Sequence, residues 1–271
     1  TGGGDTGGGD TGGGTGGGDT GGGNTGGGDT GGGNTGGNTG GGGAEPDGYT
    51  LVFSDDFSAG YRYENWGQPF NGGVYWNGAW SWSAGDVNVR NGVLEVSATR
   101  HDDGWWTGGG LSSFKAGHTI TYGIIEMDAR VPEVQGVMGV LLTWPESDIW
   151  PRDGEIDLLE TPNTNNMHSS HGDVNGNHVY DSQFSNYDET QWNHYKLTWL
   201  PDYLGLEVNG QLVAEWTDPA LIPDVAHGIG AMVNVASPND GWMGPPPAAD
   251  GPDSMVMQID NVRIYQLDGV F

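Results

Sequence analysis

Apolar side chains recur at every second position in several short segments between residues 48 and 267. In segment 195–199 the apolar residues are Tyr, Leu and Trp at alternate positions, a period typical of a strand with one buried face. The same period occurs in 86–89, in 118–131 with a change of phase, and in 256–264. No stretch of twelve or more residues has the helical period, although 218–222 is suited to one helical turn. The pattern predicts an all-β chain folded as an antiparallel β-sandwich.

One turn carries a specific signal. Asn209-Gly210 separates Leu-Glu-Val from Gln-Leu-Val. Asn-Gly is a favoured pair for the two-residue type I′ turn, because both positions need positive φ. We therefore expect a β-hairpin centred on this pair.

The first 43 residues differ from the rest of the chain. They comprise 27 Gly, 9 Thr, 4 Asp and 3 Asn, in repeats of about five residues. No side chain there can build a core, so we interpret 1–43 as a flexible linker. Residues 44–271 have the length of one domain, which we interpret as the catalytic domain. A calcium-binding glycine repeat is the alternative, but the repeat length is wrong and the apolar residue of that repeat is missing.

The charge of the chain excludes some partners. The sequence has 36 acidic and 8 basic residues and a net charge of −28, and the basic residues all lie beyond residue 60. A chain this acidic repels phosphate backbones and anionic membrane surfaces, so we expect neither nucleic acid nor membrane as a partner. Its longest apolar run is too short for a bilayer span. There is no Cys and hence no disulfide. The chain begins with Thr rather than Met, and we expect a part of a larger multidomain precursor that is itself monomeric.

Tryptophan is frequent, with 12 residues. Several of these residues lie beside polar or glycine-rich segments, where a core position is less expected. They are Trp76, Trp80, Trp82, Trp105, Trp106, Trp150 and Trp242. Flat aromatic faces suit the apolar C–H face of a sugar ring, so this distribution favours carbohydrate as a ligand, with core packing as the alternative for each residue.

The segment Glu155-Ile-Asp-Leu-Leu-Glu160 is the main candidate for chemistry. In a strand, Glu155 and Asp157 share a face, whereas Glu160 falls on the opposite face. One extra residue in a β-bulge, at Leu158 or Leu159, brings Glu160 back beside the other two acids. The expectation is three carboxyl groups on one face and aliphatic side chains in the core behind them.

Two such carboxyl groups match the needs of glycoside hydrolysis with retention. That reaction uses a nucleophile and a general acid/base about 5–5.5 Å apart. A third acid between them keeps a proton in the group at neutral pH, because like charges disfavour full ionisation. The alternative is a solvated strand face that is acidic by chance, as in many acidic proteins.

These residues resemble the active-site strand of glycoside hydrolase family sixteen, and the six-residue spacing resembles its bulged, laminarinase-like branch. Weaker similarities follow in the same chain order, at 53–57, 122–132, 192–199, 234–245 and 257–265. The resemblance implies a concanavalin-like jelly roll with a substrate cleft across its concave sheet. It implies Glu155 as nucleophile, Glu160 as general acid/base and Asp157 as the residue that positions the nucleophile.

The resemblance also implies substrate-binding residues. Those residues are Trp150 beside the scissile glycosidic bond, Trp144, Asn234 and Trp242 on the side that binds the glycosyl donor, and His171 near Glu160. His168 is a weaker candidate. Segments 171–173 and 235–241 depart from the usual family pattern, which affects the choice of substrate more than the mechanism. Catalysis needs no cofactor, but the family often carries one structural Ca²⁺. Its ligands here would be Asp260, Asp56 and the carbonyl of Gly92, all oxygen donors that suit this ion.

The sequence therefore predicts a secreted or cell-surface bacterial enzyme, a retaining endo-hydrolase of β-1,3- or mixed β-1,3/1,4-glucan. Another β-linked polysaccharide is the alternative substrate, either a succinoglycan-type exopolysaccharide or an agar or carrageenan galactan. Sulfated galactans are disfavoured unless arginines line the cleft, because polyanions are repelled by the acidic chain. A non-catalytic carbohydrate-binding module on the same sandwich is the alternative outside enzymes.

Overall fold

The computed structural model describes residues 45–75, 77–239 and 241–269. The predicted linker 1–43 and Trp76 lie outside these described residues. The described part consists almost entirely of β-strands. Its helical elements are single turns, of which Tyr63–Trp66 is α-helical. Within these ranges no helix is long and apolar enough to cross a bilayer.

Seventeen strands are present in the described residues. They are β1 Tyr49–Asp55, β2 Gly72–Val74, β3 Trp80–Trp82, β4 Val87–Arg90, β5 Val93–Arg100, β6 Trp106–Gly108, β7 Gly110–Ser112, β8 Gly123–Arg130, β9 Val137–Pro145, β10 Glu155–Glu160, β11 Asn166–Val174, β12 Asn177–Ser185, β13 Asn193–Leu200, β14 Tyr203–Val208, β15 Gln211–Trp216, β16 His227–Val235 and β17 Ser254–Leu267.

The strands form two sheets, which confirms the predicted sandwich. The larger sheet has the order β15-β14-β13-β8-β17-β5-β6-β3-β2, with β1 and β4 paired to β17 and β5. The smaller sheet has the order β12-β11-β10-β9-β16-β7. All pairings are antiparallel among the described strands except that of β3 with β6. The main hydrophobic core draws residues from both sheets.

Several predicted elements are confirmed. Tyr195, Leu197 and Trp199 of β13 are fully buried while their neighbours are half exposed. Asn209 and Gly210 have φ of 53° and 77° and join β14 to β15. The expected turn at 218–222 is a 3₁₀ turn, Pro219–Leu221, and the Ala220 amide donates a hydrogen bond to the Asp218 side chain.

The alternation in segment 118–131 suggested a single strand, but the structure does not have one there. The strand begins at Gly123, because Tyr122 has a φ of 63° and interrupts the extended backbone. Ile120, before the interruption, pairs with His227 in the other sheet. The change of phase in the sequence therefore marks a crossing between sheets.

The expectation that the seven tryptophans lie away from the core is wrong for two of them. Trp80 and Trp106 are buried in the main core. Gly108 makes this possible, because a Cβ at that position would lie 2.7 Å from the Trp80 ring. The glycine-rich surroundings thus accommodate a large ring and do not indicate a surface position.

Candidate active site

The predicted β-bulge lies in β10 and is confirmed by the strand register. Asp157 is paired with Leu142 of β9 and Ser169 of β11. Three residues farther on, Glu160 is paired with Val140 and Met167, which are only two residues from those partners. One extra residue therefore lies between the two acids.

The bulge separates acids from aliphatic side chains. Ile156, Leu158 and Leu159 all belong to the main core. Since β9 and β11 keep their alternation, the three acids share the opposite, outer face of the smaller sheet. We call this outer face the cleft face. The residues that stand in register with the acids there are His171, Ser169 and Met167 on β11, Tyr180, Ser182 and Phe184 on β12, Leu142 and Val140 on β9, and Gly230 and Met232 on β16.

Ser169 links two of the acids. Its Oγ donates a hydrogen bond to Asp157 Oδ2 at 2.6 Å and lies 3.4 Å from Glu160 Oε2. Asp157 is 1% exposed and Glu160 is 8% exposed. Oxygen atoms of Glu155 and Asp157 and a ring nitrogen of His171 lie within 4.8 Å of one another. The three carboxyl groups therefore form one buried, interacting cluster.

Burial and mutual repulsion raise the proton affinity of the two glutamates. The pKa of Glu155 is raised well above its usual value by burial, then by the charges of Asp157 and Glu160. The indole of Trp150 offsets part of that rise, although its N–H makes no hydrogen bond of standard geometry. Burial and the Asp157 charge also raise the pKa of Glu160, and Ser169 opposes this rise. Burial and the neighbouring charges thus favour the protonated form of both glutamates.

His171 lies among the acids, but it stands opposite Glu155 and contacts Asp157 instead of lying near Glu160, the acid that the resemblance had implied as its neighbour. Its Nε2 is 3.2 Å from Asp157 Oδ2, and its Nδ1 is 3.0 Å from Nε2 of His178 on β12. The Trp150 ring packs against His178 with a centroid distance of 4.7 Å. Trp150 is therefore on the β11–β12 side of the acids.

The other predicted substrate-binding residues lie on the β9–β16 side. Thr143 is paired with the core residue Ile156, so the next residue of β9, Trp144, faces the opposite way. Trp144 packs on a small apolar cluster that includes Leu142 and Val140. Asn234 is buried on β16, paired with Met138. Trp242 is 45% exposed in the loop that follows β16. These positions place Trp144 and Asn234 on the cleft face, across β10 from Trp150.

His168 is not a substrate-binding residue, which corrects the weaker candidate. It is fully buried, and its two ring nitrogens contact the Leu158 carbonyl at 2.8 Å and Ser185 Oγ at 2.7 Å. Its place between Met167 and Ser169 turns it away from the cleft face. Its role is to bind the backbone of the bulge from behind.

Sequence reasoning missed Ser169, His178 and the aromatic residues of β12. Tyr180 and Phe184 are 52% and 64% exposed on the cleft face. The signal was present, because Asn175-Gly176 is another Asn-Gly pair and forms the turn between β11 and β12. Such a turn fixes the register and places Tyr180 opposite His171.

Of the predicted calcium ligands, Asp260 lies on β17, Asp56 directly follows β1, and Gly92 lies in the turn between β4 and β5. Asp260 pairs with Asp128 of β8 just before a register shift. Burial, and after it the charges of Asp128 and Asp56, raises the pKa of Asp260. Asp56 and Asn261 line one cavity of about 310 Å³. Gly92 lies against Ser58, whose amide and hydroxyl bind Asp56. Arg62 and Arg263 line the same cavity, so a Ca²⁺ ion held by these oxygen donors stays a prediction.

Comparisons with known proteins agree with this geometry. Residues 75–242 match the family model "Glycosyl hydrolases family 16". The chain is 27% identical over 248 residues to the keratan-sulfate endo-1,4-β-galactosidase of Sphingobacterium multivorum, covering 81% of this chain and 56% of that protein. It is 25% identical over 243 residues to an endo-1,3-1,4-β-glycanase, EglC, of Rhizobium meliloti, covering 81% and 50%.

The fold is also that of solved laminarinases. The catalytic domain of the endo-1,3-β-glucanase (laminarinase) of Thermotoga petrophila superimposes with a TM-score of 0.69 and 22% identity, covering 82% of this chain and 99% of that chain. The chain spans about half the length of the curated relatives described above. The sandwich is a jelly roll, and the chain belongs to glycosyl hydrolases family 16.

Proposed function

We propose that this protein is a retaining, endo-acting hydrolase of β-1,3- or mixed β-1,3/1,4-glucan. The observation that carries the proposal is the bulged strand β10, which presents Glu155 and Glu160 on one face with Asp157 between them. Burial, and after it the charges of the neighbouring acids, raises the pKa of both glutamates, which supports a protonated acid/base beside the nucleophile.

In the first step, the Glu155 carboxylate attacks the anomeric carbon while Glu160 donates its proton to the glycosidic oxygen. The C–O bond breaks, and a glycosyl ester forms on Glu155. In the second step, Glu160 removes a proton from water, the water oxygen attacks the same carbon, and Glu155 leaves. Both inversions together retain the anomeric configuration.

The charges around Asp157 stay balanced through this cycle. Before the first step Glu155 is ionised and Glu160 is protonated; afterwards Glu155 is a neutral ester and Glu160 is ionised. The Glu155 charge is among the causes of the mutual repulsion in the cluster, so its loss on esterification favours ionised Glu160. The same residue can then act first as acid and afterwards as base.

The cleft face suits a polymer. Six strands from β12 to β7 provide five interstrand spacings, which together span about 24 Å. Tyr180 and Phe184 are exposed near one end. Near the other end the Trp82 ring lies over Gly110 of β7, where a Cβ would be 2.5 Å from the ring. Aromatic faces at both ends support binding of several consecutive sugar units and cleavage within a chain.

The basic residues support a neutral substrate. None of the described residues in register with the acids on the cleft face is Lys or Arg. Five of the eight basic residues are paired with carboxylates other than the three acids of β10. These pairs are Arg62–Asp55, Arg90–Glu95, Arg100–Asp253, Arg152–Asp153 and Lys196–Glu207. A sulfated chain would therefore meet three acids without a compensating cation.

A β-galactan, or another β-linked polysaccharide such as a succinoglycan-type exopolysaccharide, is the second candidate substrate. The similarity to a keratan-sulfate endo-1,4-β-galactosidase favours the galactan. The similarity to an endo-1,3-1,4-β-glycanase favours the mixed-linkage glucan. Product analysis on laminarin, lichenan, agarose, carrageenan, keratan sulfate and succinoglycan decides between them.

Two measurements test the proposed reaction. Proton NMR of the first products should show the β-anomer before mutarotation; an initial α-anomer would overturn retention. A Glu155→Gln variant should lose turnover and still bind the polysaccharide, whereas a Glu207→Gln control in the other sheet keeps activity. Equal turnover of wild type and Glu155→Gln would mean that Glu155 is not the nucleophile, and no turnover by either would favour a binding module.

Three further proposals accompany this function. A structural Ca²⁺ bound by Asp260, Asp56 and the Gly92 carbonyl would offset the convergent carboxylates and would take no part in bond cleavage. Secretion, or display on a bacterial cell surface, suits a substrate too large to enter cells. The domain would act as a monomer within a longer precursor.

A further inference from the structure

His171 and His178 form a hydrogen-bonded pair that leads from the buried acids to solvent. Their nearest nitrogens are 3.0 Å apart, the ring centroids are 5.2 Å apart, and the ring planes differ by 12°. Such values describe two nearly coplanar rings that meet edge to edge, the arrangement of an N–H···N hydrogen bond. His171 is largely buried, and His178 is exposed on the edge strand β12.

The hydrogen bonds around His171 specify which of its nitrogens carries the proton. Ser169 donates its only hydroxyl proton to Asp157 Oδ2 at 2.6 Å. Both groups within 3.2 Å of His171 Nε2, namely Asp157 Oδ2 and Ser169 Oγ, are then acceptors. Nε2 must therefore be protonated, and in the neutral ring Nδ1 is an acceptor. His178 Nε2 is the group that donates to it.

The function of this pair follows from what Asp157 must do. The Oδ2 atom of Asp157 accepts hydrogen bonds from Ser169 and His171. Its Oδ1 atom is buried and accepts no hydrogen bond from the described protein groups. Loss of the His171 donor would remove one of the two bonds that fix this carboxylate. If Nδ1 of His171 carried the proton instead, Nε2 would face two oxygens with a lone pair.

We propose that His178 is a positioning residue that holds His171 in its Nε2-protonated tautomer, and thereby holds the side chain of Asp157 oriented beside Glu155. The proposal rests on the proposed retaining function only for its kinetic consequence. Trp150 and Tyr180 support His178 in place, since each ring lies within 5.4 Å of the His178 ring. His178 does not touch the reacting atoms; it acts through His171 and Asp157.

Two substitutions separate this role from packing. His178→Phe keeps an aromatic ring between Trp150 and Tyr180 but removes the donor. His178→Gln places an amide N–H near the original Nε2 position and keeps the donor. His194→Gln is the control, because His194 forms a similar bond to Asp128 at 2.8 Å in the larger sheet, away from the acids.

The direct readout is the tautomer of His171, measured by long-range ¹H–¹⁵N NMR correlations in the full chain, with His171→Asn used to assign the signals. Wild type and His178→Gln should show Nε2-protonated His171. His178→Phe should show a mixture or the Nδ1-protonated form. An unchanged His171 tautomer in His178→Phe overturns the proposal, whether or not the chain hydrolyses glucan.

The kinetic readout uses the polysaccharide that gives the highest activity. We expect His178→Phe to lower kcat by about tenfold or more with little change in KM, because a misplaced tautomer weakens an interaction needed in the transition state. His178→Gln should recover most of kcat, and His194→Gln should match wild type. A rise in KM alone, or equal losses in the Phe and Gln variants, would assign His178 to sugar binding or packing and reject the positioning role.

Discussion

The ring Nδ1 of His168 lies 2.8 Å from the carbonyl oxygen of Leu158, inside the bulge that brings Glu160 onto the cleft face. Burial lowers the pKa of His168, so the ring is neutral and donates from Nδ1 while its Nε2 accepts from Ser185 Oγ at 2.7 Å. A buried side chain on the core side of β11 thus secures the backbone on which an acid on the other side depends.

Removal of this donor should affect stability and catalysis together. We expect His168→Ala to lower the free energy of unfolding by about 1–3 kcal/mol, because a buried carbonyl loses its partner. The kcat should fall as well, since Glu160 is no longer fixed. Denaturant unfolding and steady-state kinetics measure both effects. His168→Asn keeps an N–H near Nδ1 and should lie between Ala and wild type; identical losses in both variants would contradict the role of that hydrogen bond.

The general acid/base can be tested through the leaving group. Glu160→Ala should lower kcat on polysaccharide by about 10²–10⁴-fold, the usual contribution of such a group. An aryl β-glycoside with an acidic phenol needs no protonation, so its first step should be largely spared. Added azide should restore turnover and yield the β-glycosyl azide. Equal losses on both substrates and no azide product would exclude Glu160 as the acid.

Asp157 should control the alkaline limit of activity. Its charge raises the pKa of both Glu155 and Glu160, and Glu160 must be protonated for the first step. In Asp157→Asn the pKa of Glu160 falls, so the alkaline limb of the profile of kcat/KM should move to lower pH. The residual activity of this variant is measured from pH 4 to 9. A limb that stays in place or moves to higher pH would show that Asp157 does not tune Glu160.

His227 should make stability depend on pH. It is buried, binds Thr143 and the Asp153 carbonyl through its two nitrogens, and has its pKa lowered to about 4, mainly by burial. Because the folded pKa is below the usual 6.5, the unfolded chain binds the proton first, and this contribution is lost as pH falls from about 6.5 toward 4.

The test compares wild type with His227→Gln at two pH values. At pH 7 the wild type has the full contribution of neutral His227. At pH 5 its stability advantage over the variant should be smaller by about 2 kcal/mol, from 1.36 kcal/mol per pH unit. Urea unfolding at each pH gives the difference. An advantage that is constant or grows at pH 5 would contradict the burial of a neutral ring.

Calcium should stabilise the larger sheet without serving the chemistry. Chelation by EGTA should lower Tm, and readdition of Ca²⁺ should restore it, because the ion binds the folded state. Asp260→Asn should have a lower Tm that no longer responds to either treatment. At a temperature where all forms stay folded, kcat should be unchanged. A chelator response that survives in Asp260→Asn would place the ion elsewhere.

The catalytic strand was predictable because its two faces impose opposite demands. Glu155, Asp157 and Glu160 need a common solvent-facing side, while Leu158 and Leu159 both belong in the core. Only an extra residue satisfies both conditions, so the sequence alone indicates a bulge. The hairpin at Asn209 was predictable for a similar local reason, the positive φ of both turn residues.

Features that depend on contacts between distant segments were not predictable in the same way. Trp80 is in the core because β3 runs parallel to β6 and Gly108 leaves space for its ring. The contact of His178 with His171 requires the register of β11 and β12. The Asn175-Gly176 turn sets this register, but the turn alone does not indicate which side chains will meet across the two strands. The buried role of His168 depends on the bulge that it binds, and no local pattern separates it from His171.

The bulge also determines which changes of length the catalytic strand tolerates. Deletion of either Leu158 or Leu159 would leave Glu-x-Asp-x-Glu, in which strict alternation again places all three acids on one side. Elsewhere in the strand, loss of one residue would reverse the direction of every side chain beyond it. Five-residue and six-residue versions of this segment are therefore neighbours in sequence space, and a lineage can pass between them in a single step without losing its acids.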